Sequence, residues 1–568
     1  MKEFRFPKSE KLMGLIRKFS PTENVLFAVF AILFIFTGIS LTWRLNTYFM
    51  TEVPARGGAL NEGVIGIARF VNPVLAQTDV DRDLTSLIYA GLMRNVNGVL
   101  VPDIAESYTV SDDGLVYDFK IKEKAFFHDG VRVTAEDVAF TIEKAQDNII
   151  KSPRRAIWNE VVTEVVNSRE IKFTLKHPFA PFVYNTTFGI LPKHLWKDIS
   201  PESFVFTDLN SNPIGAGPYK LDSIDHDDRG LPTRYVLKSY SKYTLGRPYI
   251  STINFSFFPN ETNLLEAYYE GVITSLHSIN ASEALKVNKS HSNILHTSLP
   301  RTFAVFFNQN QNPALALPEV RQALDIGTDK KALIDDVLKG YGVESDGPLP
   351  LHEGTSTTAD IDKARDILTK AGWVQNADGI FEKKTKAATI PLSFSLTTTN
   401  VSELKKAAEL IKQQWEKIGA SVTLKIYENG DLQQNIIRPR KYEALLFGEV
   451  VGHDLDLYAY WHSSQRNDPG LNIVLYANSK VDRLIEDMRA TEDSVLHLEK
   501  AKEAEELIIN DNPAVFLYSP DLIYITSPKT HIPNLQNITT PTDRFGNIMK
   551  WYVNTDHVWN IFVKNNNK

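Results

Sequence analysis

The sequence predicts a multidomain α/β protein carried on one apolar N-terminal helix. Three observations lead there. The chain has 568 residues, too many for one hydrophobic core, so two or three domains are expected. Strand-period and helix-period segments alternate from about residue 60 onward, as in layered α/β domains. Residues 25–43, VLFAVFAILFIFTGISLTW, carry no charge. At ~1.5 Å per residue they span most of a ~30 Å hydrocarbon layer.

Lys2, Arg5, Lys8, Lys11, Arg17 and Lys18 precede this run, and only Arg44 follows it closely. That asymmetry puts residues 1–24 in the cytoplasm, makes 25–43 a transmembrane anchor, and leaves the rest extracytoplasmic, periplasmic or at the cell surface. A cleaved signal peptide is the alternative; the length of the run and the lack of an Ala-x-Ala-like site after it favour retention. Residues 44–57 read as a stalk. Cysteine is absent, which excludes disulfides, thiol chemistry and a lipid-bearing N-terminal cysteine. A net charge of −7 gives no basic surface for nucleic acid.

The most informative run is 89–145. VYDFKIK (116–122) alternates, with Tyr117, Phe119 and Ile121 on one side, as a half-buried strand does. Asp112-Asp113-Gly114 and His128-Asp129-Gly130 are turn signals. Thr134 to Asp137 is a capping box for a helix whose stripe is Val138, Ile142 and Ala145. Residues 171–176 form another strand. Asn212-Pro-Ile-Gly-Ala-Gly-Pro-Tyr219 has no Lys-Ser/Thr after it and is no phosphate loop; it reads as a tight crossover between lobes. Strands follow at 235–238, 253–257 and 302–308. Pro318 opens a helix, and 360–371 is amphipathic. Leu404, Ala408, Ile411, Trp415 and Ile418 form one face of a helix capped by Ser402 and stopped by Gly419. Ser479 caps another, and 494–510 is a further helix, ended by Asn512-Pro513. Strands at 392–396 and 422–426 complete a second α/β lobe.

PDIAESYTVSDDGLVYDFKIKEKAFFHDGVRVTAEDV (102–138) resembles the signature region of extracellular solute-binding proteins of family 5, the receptors of ABC importers for oligopeptides, dipeptides or nickel. Tyr89-Ala-Gly-Leu92, the 212–219 segment, FFNQNQNPALALPEVRQALDIGTDKKALI (306–334) and Ala371-Gly-Trp373 extend the resemblance from about Gly63 to Tyr524. In the helix opened by Pro318, Arg321 stands at the family's arginine position and reads as half of a structural ion pair. The resemblance implies a two-lobed fold like that of periplasmic binding proteins, with an additional inserted domain. Lobe I would comprise 58–96, 213–300 and 530–564, an inserted lobe II 97–212, and lobe III 301–529. It also implies hinge closure on a ligand, most plainly a peptide, and partners in an ABC permease and its ATPase subunits. A receptor for nickel or another small solute, and a sensory or scaffold protein of the same fold, stay open as alternatives.

No G-x-S-x-G, H-E-x-x-H, P-loop or cysteine nucleophile occurs, so no enzyme, cofactor or metal centre is expected. The ligand-site candidate is LFGEVVGHDLDLYAYWHSS (446–464). In peptide-binding members the matching stretch is close to G-W-x-x-D-Y-x-D-P, and its first aspartate holds the peptide α-ammonium. A carboxylate suits that task as a charge-assisted acceptor. Here Glu449 stands at the tryptophan position, both prolines are replaced and one residue is added. Depending on where that residue falls, His453 or Asp454 takes the aspartate's place. Asp456, Tyr458 and Trp461 complete the candidate, with Tyr89 as a further lining residue and Arg438 as a partner for a peptide carboxylate.

Overall fold

A computed structural model describes residues 20–287, 289–350, 358–452, 455–491 and 493–563. It separates into two units. One runs to Arg56 and takes in the chain from Asn554; the other is Gly57–Val553.

The first unit is built on α1 (Pro21–Tyr48), started by a capping box in which Ser20 N–H donates to Glu23 Oε2 at 2.7 Å. The helix contains the uncharged run, buries none of its residues and is long and apolar enough to cross a membrane. The expected stalk is structured. Helix continues to Tyr48, and β1 (Met50–Ala55) then pairs antiparallel with Asn554–Trp559. That C-terminal stretch was expected to complete the first lobe; it closes a two-stranded ribbon because Asn560 N–H and the Trp559 indole bond back to Phe49 O and Asn46 Oδ1 (both 2.8 Å).

In the second unit β2 (Gly57–Ile65) leads through α2 (Asp79–Ile88), capped by Thr78 and Asp81, into a smaller module. That module has β3 (Ala105–Val110), β4 (Val116–Ile121), α3 (Ala135–Gln146), β5 (Val162–Asn167) and β6 (Glu170–Thr174), with antiparallel order β3-β4-β6-β5. Tyr117, Phe119 and Ile121 of β4 are buried as their alternation requires, and the Thr134–Asp137 capping box starts α3. The chain then returns to β2's sheet as β7 (Tyr219–His226), β8 (Pro232–Ser239), β9 (Ile250–Phe258), β10 (Ser275–His277) and β11 (Asn293–Ser298). The second large lobe supplies β12 (Arg301–Phe307), β13 (Ser393–Thr399), α4 (Ser402–Ile418), β14 (Ser421–Tyr427), β15 (Ala444–Val450), α5 (Ser479–Ala490), α6 (Ser494–Asp511) and β16 (Ala514–Thr526).

These strands form one mixed sheet in the order β14-β13-β15-β12-β16-β10-β2-β9-β8-β7. β16 belongs to both lobes: its first half pairs with β12, its second with β10 and β11. Between the halves Pro520 faces the break between β11 and β12, which contains Pro300. A proline cannot donate to the ladder; here the neighbouring groups carry the pairing, with Asp521 N–H donating to Tyr341 O (3.2 Å) and Val451 N–H to Pro300 O (3.0 Å). α4 buries Leu404, Ala407, Ala408, Ile411, Trp415 and Ile418 and ends at Gly419 (φ +112°), a left-handed position suited to glycine. The caps of α4 and α5 sit one residue earlier than expected, at Val401 and Asn478, while α6 starts at Ser494 as expected, capped by Asp493. Asn478 and Asp493 accept from backbone N–H groups of the first turn, as short polar side chains do best from the N-cap position. Among the described residues Arg321 makes no ion pair; its guanidinium donates to the carbonyls of Leu315, Ala316, Asp511 and Asn512 (2.8–3.1 Å), tying the loop before its own helix to the end of α6.

The crossover at 212–219 lies against the end of α2. A Cβ at Gly215 would stand 2.1 Å from Ile88 O. His128 closes this junction. Its Nδ1 accepts from Gly215 N–H (3.3 Å), so Nε2–H donates to Gly217 O (3.1 Å). The first bond needs the neutral ring, whereas the second is open to the charged ring as well. Burial lowers its pKa to about 4, with the bond to Gly217 acting the other way. An unfolded chain protonates this histidine near pH 6.5. Stability is therefore full above pH 6.5 and falls between about pH 6.5 and 4, by roughly 2–3 kcal/mol. Urea unfolding across that range is expected to show this loss for the wild type and a flatter profile for His128→Gln.

Candidate functional site

A cavity of about 530 Å³ opens between the modules, within the size range of small-molecule sites. Its wall is built from the end of α2 (Arg82, Thr85, Ser86, Tyr89), the smaller module (Arg154, Trp158, Tyr184, Phe188) and the C-terminal turns (Thr540, Thr542, Asp543, Gly546); Val450, at the end of β15, comes from the opposite lobe. Tyr89 is 2% exposed and its hydroxyl has no hydrogen-bond partner. Burial holds its pKa far above the ordinary range, so it meets the cavity as a neutral donor. Arg154 is crowded by protein and then by the like charge of Arg82, which lower its pKa, while Asp543 acts the other way. Arg94 and Asp103 line it as well, so the wall offers three guanidinium groups, two carboxylates and a free phenol around aromatic surface.

Charges fix the shape of that wall. Arg94 donates to Gly546 O (2.8 Å) and Phe545 O (2.9 Å). Asp103, fully buried, accepts from Tyr243 Oη (2.6 Å) and Thr244 Oγ1; burial raises its pKa, against Arg94. Deeper still, Arg544 lies between Glu62 (2.9 Å) and Asp83 (2.6 Å), all three without solvent exposure. Thr542 Oγ1 donates to Asp83 (2.6 Å) and Tyr524 Oη to Glu62 (2.7 Å). These bonds hold the 541–550 turns against α2 and β2. None of Arg82, Arg94, Asp103, Arg154 or Asp543 was legible as a site residue. They come from four separate stretches, and only Asp103 lies inside the quoted signature run.

The acidic stretch after β15 divides. His453 and Asp454 lie outside the described residues. Asp456 is already engaged: it accepts from Tyr458 N–H (3.0 Å) and pairs with Arg489 (3.3 Å). Arg489 is sandwiched by the rings of Tyr458 (4.2 Å) and Phe179 (4.7 Å), and its carbonyl accepts from Ala180 N–H (3.0 Å). Phe179 and Ala180 belong to the smaller module, so this cluster latches the two sides of the cavity. Tyr458 also stacks on His462 at 4.4 Å. Trp461 is buried in the second lobe's core against Tyr476 and Phe516. Its indole donates to Glu449 Oε2 (3.1 Å). Glu449 is 1% exposed and its Oε1 has no partner; burial pushes its pKa up to about 8, opposed by the indole. Glu449 shares the β15 face of Leu445 and points into that core, whereas Val450 faces the cavity. Arg438 sits on the surface, 3.9 Å from Asp468. Among the described residues no group of three or more His, Asp or Glu could hold a metal ion. Of the predicted residues that are described, Tyr89 alone lines the cavity, and Asp456 and Tyr458 form its latch.

The family model for bacterial extracellular solute-binding proteins, family 5 (middle region), matches residues 99–470. The chain is 28% identical over 518 residues to the oligopeptide-binding protein AppA of Bacillus subtilis, covering 88% of this chain and 92% of that one. The structure of AppA from Bacillus subtilis in complex with a nonapeptide superposes with a TM-score of 0.69 at 26% identity, over 88% and 99% of the two chains. The ABC transporter substrate-binding protein CtaP of Listeria monocytogenes gives 0.74 at 27%, with the same coverage. NikZ of Campylobacter jejuni, solved with Ni(L-His), gives 0.70 at 24% over 87% and 99%, a likeness of fold.

Proposed function

Since the chain belongs to the bacterial extracellular solute-binding proteins of family 5, we propose that it captures peptides outside the cytoplasmic membrane and hands them to an ABC permease powered by its ATPase subunits. Helix α1 is its single-pass anchor, with the N-terminus in the cytoplasm. The observation that carries this reading is a cavity walled by the first lobe and the smaller module, to which the opposite lobe contributes Val450, with the two large lobes sharing strand β16. Ligand shifts an open–closed equilibrium because only the closed form touches it from both sides. The division into 58–96 with 213–300 and 530–564, 97–212 and 301–529 describes the moving parts, with Asn554–Trp559 set apart in the ribbon. The relative solved with a nonapeptide supports peptides as the ligand class. No bond is made or broken; the wall binds and orients.

The α-ammonium of the peptide pairs with Asp454, since the carboxylate of Asp456 is already taken by Arg489. Removing one partner of a desolvated pair costs roughly 3–5 kcal/mol, about a hundredfold or more in affinity. Calorimetric titration with a peptide and its N-acetylated form tests this. Wild type is expected to discriminate strongly against the acetylated form and Asp454→Asn is not. Equal binding of both forms by the wild type overturns the amine anchor; loss of discrimination only in Asp456→Asn moves the anchor to Asp456.

A further inference from the structure

Five large apolar side chains gather where α1 meets the ribbon, and the ligand-binding reading uses none of them. Tyr48, Phe49, Trp559, Ile561 and Phe562 are 80, 44, 43, 77 and 71% exposed. Their placement is fixed. Trp559 stacks on Phe49 with ring centroids 6.4 Å apart, and its indole N–H donates to Asn46 Oδ1 at 2.8 Å. Asn560 N–H donates to Phe49 O at 2.8 Å, and the side chains of Thr51 and Asn560 are bonded to each other. The C-terminal segment therefore lies beside the last turn of α1. The ribbon is graded in polarity. Next to the helix its pairs are Met50↔Trp559 and Thr51↔Val558; farther out they are Glu52↔His557, Val53↔Asp556, Pro54↔Thr555 and Ala55↔Asn554.

Depth follows from the helix. With 25–43 in the hydrocarbon, Asn46 and Tyr48 lie about 4.5 and 7.5 Å farther along the axis. That is within the headgroup layer, about 5–8 Å on each side, where Trp and Tyr concentrate. We propose that residues 559–562 are a second membrane contact: Trp559, Ile561 and Phe562 enter the outer-leaflet interface beside α1 and hold the chain to the bilayer near both of its ends. This rests on α1 being the membrane anchor. Lipid is the occupant because the patch continues the exposed apolar surface of α1 and gives way to Glu52, Asp556 and His557 within a few residues, the profile of an interface rather than of a protein-docking face.

The chain has no cysteine, so single labels are clean. The full-length protein is reconstituted in phosphatidylglycerol/phosphatidylethanolamine vesicles with a nitroxide at Ile561→Cys, Phe562→Cys, Asp556→Cys or Phe34→Cys. Collision with oxygen, which partitions into lipid, is compared with collision with an aqueous nickel chelate. Labels at 561 and 562 are expected to favour the lipid quencher several-fold over the label at 556. Equal aqueous access at 556, 561 and 562 with Phe34→Cys still in lipid overturns the proposal and leaves the anchor intact. A label at 34 that also sits in water overturns the anchor itself. Labels at 561 and 562 shielded from both quenchers mean a protein partner covers the patch, and likewise overturn the lipid contact.

Discussion

Arg544→Met is expected to lower the free energy of unfolding by about 3–5 kcal/mol, because it strands two carboxylates where water cannot reach them. Glu62 and Asp83 have no solvent exposure, and Arg544 is the cation both of them share. Burial alone would push the Asp83 carboxyl up; Arg544 and then His277 more than offset it and hold it well below the usual carboxylate range. Methionine fills the volume and removes the charge. Because Thr542, Asp543 and Gly546 line the cavity, ligand affinity falls with stability. Denaturant titration and calorimetry on the same protein read the two effects. The triple variant Arg544→Met/Glu62→Gln/Asp83→Asn, which leaves no buried charge unpaired, is expected to recover a substantial part of the loss. If Arg544→Met alone costs less than about 1 kcal/mol, the cluster is not the clamp described above.

Gly215→Ala is the second large effect. Its Cβ would fall 2.1 Å from Ile88 O and 3.0 Å from Tyr89 Cα, both backbone atoms. Neither strand of this double crossover can yield alone, because Gly217 N–H also donates to Ile88 O at 2.8 Å. Overpacking costs about 1–3 kcal/mol and occasionally more; here the obstacle is main chain, so the upper end or beyond is expected. Tyr89, displaced with Ile88, carries the disturbance into the cavity. Thermal unfolding is expected to show a drop of several degrees or more, whereas Gly430→Ala, with open space around it, leaves the midpoint nearly unchanged.

Local chemistry was legible where it was self-contained. The alternation of β4, the Thr134–Asp137 capping box, the buried stripe of α4 and the uncharged run in α1 all depend on residues within a turn or a strand of each other. Even there one cap slipped by a position, since Asn478 outcompetes the serine that follows it. What depended on partners far along the chain stayed hidden. Arg321 looked like half of an ion pair and instead gathers four carbonyls. The stalk gave no sign of a partner, because its other strand lies some five hundred residues away. In the site, Tyr89 was found through its motif, but Arg82, Arg154 and Asp543 converge only after folding. Trp461 and Glu449 were read as lining because they belong to the right stretch. The alternation of β15 turns Glu449 into the core and leaves Val450 facing the cavity, and Trp461, from the helical turn at 458–461, meets Glu449 there.

The buried triad also sets a schedule for making the protein. Glu62 and Asp83 leave the ribosome early, and Arg544 follows 482 and 461 residues later. At ~5–20 residues per second that interval is roughly 25–100 s. Until it ends, docking β2 and α2 in their final places would bury two unneutralised carboxylates, so the N-terminal half is kept from settling prematurely. The fold thereby carries a built-in delay, released when Arg544 arrives.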